Sequence, residues 1–178
     1  MRRGFTLIEI VLVAVVLVIL LAATIPNFQG TARRLHLEQI ATQLAQQLRY
    51  AREHAVAAGN ITVWAWDAQE MTSRLYALMI DSDQQATVEP LTDRMLRFPP
   101  LDHEIEVHLS READGLACPE QAPGCSECAC LQFHPDGTVQ NGSTVPAYLH
   151  ITQDGLAYTI QIDASTGSIA LSSGSTAR

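Results

Sequence analysis

An almost unbroken run of apolar residues extends from Phe5 to Ile25, and only Thr6, Glu9 and Thr24 interrupt it. As a helix, these 21 residues would be roughly 31 Å long at about 1.5 Å per residue, which is enough to cross the hydrocarbon core of a membrane. The pattern therefore predicts a transmembrane helix over residues 5–25. Its one carboxylate, near the start of the helix, is costly in that environment and indicates a function.

The arginines on either side of this run predict its orientation. Arg2 and Arg3 precede it, and the next basic residues are Arg33 and Arg34. Positive charge beside a membrane span favours the cytoplasmic side. We therefore expect a single span, with the remaining residues outside the cytoplasm.

Three general kinds of segment share part of this pattern. A secretory signal peptide has a short basic start and small residues for cleavage, such as Ala22 and Ala23, but its apolar region is usually shorter and does not open on a glutamate. A twin-arginine export signal is suggested by Arg2 and Arg3, although here they lie at the extreme N-terminus. A plain membrane anchor would tolerate Glu9 because its carboxylate can snorkel to the headgroups, but leaves it without a role.

A second helical pattern follows Pro26, where the missing backbone N–H predicts a kink. Apolar residues return at spacings of three and four, which predicts a helix with one buried stripe. Gly59-Asn60 ends the pattern, because glycine accepts the left-handed conformation that terminates helices. The stripe consists of Leu37, Ile40, Ala41, Leu44, Leu48, Ala51 and Ala55.

Beyond residue 60 the spacing of apolar residues falls to two, which predicts strands. Asp154-Gly155 lies between two such segments and is typical of a tight hairpin. The tail from Ser172 to Arg178 is small and polar, and we expect it to be frayed. The fold class is α+β: a long N-terminal hydrophobic helix packed against a mainly antiparallel sheet of about six or seven strands. The predicted strands cover residues 61–66, 75–80, 105–109, 131–133, 147–152, 157–162 and 168–171.

The first residues resemble a specific processing motif. Gly4-Phe5-Thr6-Leu7-Ile8-Glu9, between a short basic leader and a long apolar helix, is similar to the motif of type IV prepilins and type II secretion pseudopilins. The resemblance implies that a prepilin peptidase cuts between Gly4 and Phe5, and that Phe5 becomes the N-methylated first residue. It also implies that Glu9 acts in filament assembly, and that Pro26 is the family's helix kink.

This resemblance also implies an organisation and a set of partners. The leader peptide would be residues 1–4, the transmembrane and filament-core helix 5–25, its amphipathic continuation 26–59, and the β-rich periplasmic region 60–178. The implied partners are the prepilin peptidase, other major and minor pseudopilins, and the inner membrane, which the chain would cross once with its C-terminal domain in the periplasm.

Downstream residues narrow the resemblance to the GspH/FimT group of minor pseudopilins and pilins. Phe133-His134-Pro135-Asp136-Gly137 and Thr166-Gly167 are similar to that group's later motifs, and Leu48-Arg49-Tyr50-Ala51-Arg52 to its helix end. Ser168 departs from the arginine that usually follows Thr-Gly. The implied fold is pilin-like, and the implied function is that of a minor pseudopilin in a periplasmic pseudopilus for protein export. The alternatives are a minor pilin of a type IV pilus, for assembly or DNA uptake, and a membrane-anchored periplasmic binding domain.

Charge and motifs exclude several other functions. The chain has 19 acidic residues against 11 basic ones, all of them arginine, and a net charge of −8. This balance opposes binding to nucleic acid, since phosphates would be repelled. Motifs for a catalytic nucleophile, a phosphate-binding loop or a metalloprotease are absent from the sequence. We therefore expect a protein that is not an enzyme and that uses no cofactor or metal.

Four cysteines lie within 13 residues, in a segment that also contains Pro119, Pro123 and Gly124 and is therefore expected to be a loop. Four thiolates could bind zinc, but the spacing is not that of two Cys-x-x-Cys knuckles. Outside the cytoplasm disulfides persist, which favours two of them here. Two pairings are favoured: Cys118–Cys128 with Cys125–Cys130, or Cys118–Cys130 with Cys125–Cys128.

Overall fold

The computed structural model describes residues 6–80, 86–91, 101, 104–110, 128–139 and 146–175. The chain divides into two compact units, Met1–His36 and Leu37–Arg178. The described ranges contain one helix and eight strands, namely α1 (Leu7–Ala58), β1 (Ile61–Asp67), β2 (Thr72–Ile80), β3 (Ala86–Pro90), β4 (Glu106–Ser110), β5 (Cys128–Phe133), β6 (Ala147–Gln153), β7 (Leu156–Ile162) and β8 (Ile169–Ser175).

The first unit contains the start of α1. Its large apolar side chains between Leu7 and Leu20 are exposed, by 47% to 82%. Within the described part of the chain, no helix has both the length and the apolar character that a membrane span requires. The transmembrane helix over 5–25 and the kink at Pro26 therefore stay predictions.

The later part of α1 belongs to the second unit and buries the predicted stripe. All of the stripe residues, from Leu37 to Ala55, are between 0 and 4% exposed. The helix ends at Gly59, whose φ is +68° and whose N–H donates to the carbonyl oxygen of Ala55 at 3.0 Å. A residue with a side chain adopts this conformation less readily, so the helix end predicted from the sequence is confirmed.

The strands form two four-stranded antiparallel sheets rather than one. The first sheet has the order β3-β2-β1-β5, and the second sheet has the order β4-β6-β7-β8. The single sheet predicted from the sequence is therefore wrong in its topology. β4 pairs with β6, for example through His108↔His150, and so joins the second sheet. Alternation along a strand predicts which face is buried but not which strand lies beside it.

Two details of the strand prediction also differ from the structure. β3 was missed, because Ala86–Pro90 is short and carries Glu89 and Pro90. The tail was expected to fray from Ser172, but β8 continues to Ser175 and pairs with β7 from Ile162↔Ile169 to Leu156↔Ser175. Backbone pairing with β7 orders this part of the chain, so the expectation is wrong for residues 172–175. Residues 176–178 lie outside the described ones.

One apolar core joins both sheets to the helix stripe. Trp64, Phe133 and Leu131 of the first sheet, and Leu149 and Ile160 of the second, are all fully buried in it. The opposite face of the first sheet carries a second, smaller buried cluster of Val63, Ala65, Tyr76 and Cys130. Strand β1 is thus buried on both faces, which fits its nearly continuous apolar sequence.

Candidate functional site

The predicted processing and assembly residues lie at the N-terminus. Gly4 and Phe5 are outside the described residues. Glu9 is in the first turn of α1, where its backbone N–H donates to the carbonyl oxygen of Thr6 at 3.0 Å. Its side chain is exposed among exposed apolar neighbours, including Leu7 at 82% and Ile8 at 74%.

Among the described residues, Glu9 forms no ion pair. A carboxylate at the N-terminal end of a helix is stabilised by the helix dipole and can accept a cation from another molecule. Glu9 is therefore positioned to accept a cationic group.

A second candidate site lies at the other end of α1, around Arg52. Its Nε lies 3.0 Å from the carbonyl oxygen of Thr166 and 3.3 Å from that of Gly137, and it donates to both. One carbonyl belongs to the turn after β5 and the other to the turn between β7 and β8. A single helix side chain therefore ties together the ends of two sheets. We call Arg52 with these two turns the arginine clasp.

Two glycines allow the clasp to close. Gly137 has a φ of +83° and Gly167 a φ of +61°. A Cβ on Gly167 would lie 2.1 Å from the carbonyl oxygen of Gly137 and 3.0 Å from the Cδ and Nε atoms of Arg52. Only glycine fits this position, because both the backbone conformation and the space exclude a side chain.

The turn between β7 and β8 is held by the carboxylate of Asp163. Its Oδ1 accepts hydrogen bonds from the N–H and Oγ of Ser165 at 3.0 and 2.7 Å, and from the N–H and Oγ1 of Thr166 at 2.9 and 3.0 Å. These bonds, first among them the one from the Ser165 hydroxyl, lower the pKa of Asp163 to about 2. Hydrogen bonds to the charged form of a carboxyl favour that form.

The turn after β5 has the same design. Oδ1 of Asp136 accepts the hydroxyl and the N–H of Thr138 at 2.7 and 2.9 Å, and these bonds lower the pKa of Asp136. The two turns also contact each other, since the N–H of Val139 donates to the carbonyl oxygen of Ala164 at 3.0 Å. The structure thus brings together three short motifs that are far apart in sequence.

Sequence reasoning identified these motifs but missed their contact. From the sequence, Arg49 and Arg52 are part of the segment similar to the family's helix end, and His134-Pro135-Asp136-Gly137 is part of a later family-like motif. The sequence feature that could have revealed this contact is a basic side chain near the C-terminal end of the helix. Such a side chain can donate hydrogen bonds to carbonyl groups. Ser168, which departs from the family pattern, is exposed, and its N–H lies 3.2 Å from Oγ1 of Thr166.

A buried amide was also missed. Gln47 is only 5% exposed, and its Oε1 accepts the hydroxyl of Ser73 at 2.5 Å and the indole N–H of Trp64 at 3.4 Å. Trp64 stacks on Trp66 with ring centroids 6.4 Å apart, and both tryptophans are buried in the apolar core. Gln47 lies beside the buried stripe by its spacing along the helix. Because its side chain is polar, the sequence did not indicate that it is buried.

Of the four cysteines, Cys128 and Cys130 are described, and both lie on β5. Cys130 is 1% exposed, and neither residue is a free thiol. Cys118 and Cys125 lie outside the described residues, so the pairing stays a prediction. In the part of the chain that the structure describes, no three His, Cys, Asp or Glu side chains are grouped to hold a metal ion.

The family model described as "Type II transport protein GspH" matches residues 41–167. These residues contain most of the buried helix stripe, seven of the eight strands in full, and the arginine clasp. The chain belongs to the GspH family. The resemblance to the GspH/FimT group is thereby confirmed, and the chain is a member of the pseudopilins and minor pilins of type II secretion or type IV pili.

Two solved structures have the same fold as this GspH-family chain. The minor pseudopilin EpsH from the type 2 secretion system of Vibrio cholerae is 18% identical, with a TM-score of 0.51, and the alignment covers 76% of this chain and 95% of EpsH. The type IV minor pilin FimU of Pseudomonas aeruginosa is 19% identical, with a TM-score of 0.51, and the alignment covers 79% of this chain and 90% of FimU. No curated protein sequence matches this chain.

Proposed function

We propose that this protein is a minor pseudopilin of the type II secretion system, which a prepilin peptidase processes and which then joins a periplasmic pseudopilus for protein export. The match of residues 41–167 to the GspH model carries the proposal. The exposed apolar start of α1 supports it, because a filament assembled through helices needs such a surface. The role is structural and requires no catalytic residue.

Cleavage between Gly4 and Phe5 would supply a cationic partner for Glu9, which forms no ion pair among the described residues. The reaction releases an α-amine at Phe5, which methylation leaves able to carry a positive charge. In a low-dielectric environment an ammonium and a carboxylate attract each other strongly, and either one alone is costly. The Glu9 carboxylate of one subunit would therefore be stabilised only when it lies beside the α-amine of Phe5 in a neighbouring subunit. This pairing would fix the position of the subunit along the filament.

The membrane topology follows from the same proposal. Residues 5–25 would cross the inner membrane once and later line the filament core, and Pro26 would kink the helix where it leaves the bilayer. Residues 26–59 would continue the helix into the β-rich region 60–178 in the periplasm. The exposed apolar surface of α1 between Leu7 and Leu20 supports this division.

In that compartment the four cysteines would form two disulfides. Cys128 and Cys130 lie on the same face of β5, and residues two apart on a strand are separated by roughly 6.6 Å, near the upper limit for a disulfide. We therefore propose that each of them pairs with one of the loop cysteines, Cys118 and Cys125. The bonds would attach the loop to the edge strand of the first sheet.

A minor pilin of a type IV pilus is the second candidate. The fold of FimU supports it, with the same TM-score as EpsH. Deletion of the gene separates the two functions. Loss of an exported protein from the medium with surface pili retained supports the pseudopilin, whereas loss of pili with export retained supports the pilin.

Intact mass and N-terminal analysis of the membrane-purified protein test the processing step. We expect a chain that lacks residues 1–4 and begins with N-methylated Phe5. A chain that begins near Thr24 would instead indicate an ordinary signal peptide, and would overturn the proposal.

Glu9→Leu tests the assembly step, and Glu53→Leu, at an exposed glutamate later in α1, is its matched control. We expect Glu9→Leu to insert in the membrane normally but to be recovered with the filament much less than the wild type. The control should be recovered normally. Equal recovery of both variants would contradict the role given to Glu9.

A further inference from the structure

Strand β8 forms one edge of the second sheet, and its hydrogen-bonding pattern shows which backbone groups face outward. The N–H of Asp163 donates to the carbonyl oxygen of Ser168 at 3.0 Å. In an antiparallel pair, hydrogen-bonded positions alternate with non-bonded ones. Given the register Ile162↔Ile169, the backbone groups of Ile169, Leu171 and Ser173 therefore point away from β7.

The side chain of Arg49 confirms this assignment at the start of the strand. Its guanidinium donates to the carbonyl oxygen of Ile169 at 3.3 Å, on the side away from β7. Among the described residues, no group forms a hydrogen bond to the outward N–H and C=O groups of Leu171 and Ser173. Leu171 is half-buried and Ser173 is exposed. In the part of the chain that the structure describes, the second half of the β8 edge is therefore unpaired and able to accept an added strand.

The other three sheet edges carry features that oppose pairing, and β8 does not. β3 has five residues and contains Glu89 and Pro90, and β4 has five residues with exposed Glu106 and His108. β5 carries two cysteines that are not free thiols. β8, by contrast, has seven residues, IALSSGS, with no charge and no proline. Natural proteins usually protect a long uncharged edge unless another strand covers it.

We propose that the outer edge of β8 is a docking site for an extended segment of a different subunit of the same filament. This inference rests on the proposed function. The added strand would exchange backbone hydrogen bonds with Leu171 and Ser173. Its apolar side chains would lie on the side of Ile169 and Leu171, and small side chains would lie beside Ala170 and Gly174.

Charge favours a different subunit over a second copy of this chain. The processed chain lacks Arg2 and Arg3 and so has nine basic against 19 acidic residues, and two copies would each bring a net charge of −10 to the contact. Like net charge opposes self-association, whereas a less acidic subunit meets no such barrier. The edge itself is uncharged, so the added strand needs no complementary charge of its own.

Ser173→Pro removes one outward N–H without removing a bond to β7, because Ser173 is at a non-bonded position of the pair. Proline is tolerated at such a position on an edge strand. Ser173→Ala is the matched control, since it removes the hydroxyl and keeps the N–H. Both variants are made in the full chain, and their thermal unfolding is compared with that of the wild type in detergent.

We expect Ser173→Pro to unfold at the same temperature as the wild type and to lose its leader normally. The amount recovered with the filament should be at least about fivefold lower than for the wild type. Ser173→Ala should be recovered like the wild type. Normal recovery of a folded Ser173→Pro variant would overturn the inference while leaving the proposed function intact. If the wild-type chain keeps residues 1–4 and is absent from the filament, both proposals fail together.

Photocrosslinking identifies the occupant and covers the case in which Ser173→Pro does not fold. A photoreactive residue at Ser173 should give a product with a different filament subunit, and one at Gln161, on the exposed face of β7, should not. A product containing two copies of this chain would overturn the choice of partner. The absence of any product from position 173 in assembled filaments would overturn the docking edge.

Discussion

The two parts of helix α1 have the same backbone hydrogen bonding but opposite surroundings. Between Leu7 and Leu20 every large apolar side chain is at least 47% exposed, whereas from Leu37 to Ala55 the apolar stripe is at most 4% exposed. In the later part, polar residues occupy the other side of the helix. In the earlier part, no polar side exists apart from Glu9.

The difference shows where each part finds its partner. A helix with one apolar stripe can bury that stripe within its own chain, as the later part does against the two sheets. A helix that is apolar on all sides is usually buried on all sides, in a protein core or in a membrane. In the proposed function, the earlier part would find these surroundings in lipid or in other subunits, whereas the later part buries its stripe within its own unit.

Substituting one leucine in each part tests this contrast most strongly. Leu44→Ala should lower the free energy of unfolding of the second unit by about 3–5 kcal/mol, because it leaves a cavity in the core. Leu12→Ala, at a residue 63% exposed, should leave it unchanged. Urea unfolding followed by circular dichroism measures both. A similar loss for the two variants would contradict the contrast.

The arginine clasp sharpens the contrast, because it joins the later part of α1 to the turns of both sheets within the second unit. Gly167→Ala should cost roughly 1–3 kcal/mol, since the new Cβ meets a carbonyl oxygen and the backbone is left-handed. Gly155→Ala is the control: its φ is +80°, but a Cβ there meets nothing within 4 Å. We expect a smaller loss in thermal unfolding for Gly155→Ala. Equal losses would show that only backbone strain matters at Gly167.

Arg52→Ala should destabilise the second unit by about 1–2 kcal/mol, because the carbonyl oxygens of Gly137 and Thr166 lose a charged donor. Arg49 is exposed and makes one bond of 3.3 Å, so Arg49→Ala should cost less than about 0.5 kcal/mol. Hydrogen exchange at Val139 and Gly167 should accelerate in the Arg52 variant only. Unchanged hydrogen exchange would contradict the role of the arginine clasp in linking the helix to the sheets.

The smallest expected effect is the pH dependence of Asp163. Its pKa falls from 3.8 to about 2 on folding, so the group stabilises the folded state above pH 3.8, and this contribution disappears as the pH drops toward 2. Asp163→Asn keeps an acceptor oxygen but cannot titrate. The variant should therefore lose less stability than the wild type across this range, as measured by thermal unfolding. An equal loss of stability in the variant and the wild type as the pH falls would contradict the lowered pKa of Asp163.

Local features were predicted well from the sequence. The stripe from Leu37 to Ala55, the end of the helix at Gly59 and the hairpin at Asp154-Gly155 all follow from short-range spacing, and the structure confirms them. Asp154 and Gly155 have φ values of +50° and +80°, as a tight hairpin turn requires. Each of these features depends on residues within about one turn or one strand of each other.

Long-range features were not predicted. Gln47 looks like a surface residue until Ser73 and Trp64 are placed beside it. The hydrogen-bond acceptors of Arg52 are the carbonyl oxygens of Gly137 and Thr166, which come together only in the folded structure. β3 and the end of β8 are strands because their neighbours pair with them, and their own side chains give little sign of it.

The sequence by itself determined the apolar first helix with its single glutamate, the buried stripe that follows, and the membership of a pilin-like family. These properties reside in spacing and in residue type, which need no partner to be recognised. Only the tertiary structure decided that the strands form two sheets, that one arginine joins their ends, and that β8 is an edge strand among the described residues. Each of these depends on which backbone groups meet across many residues, and the alternation of apolar and polar positions does not encode that choice.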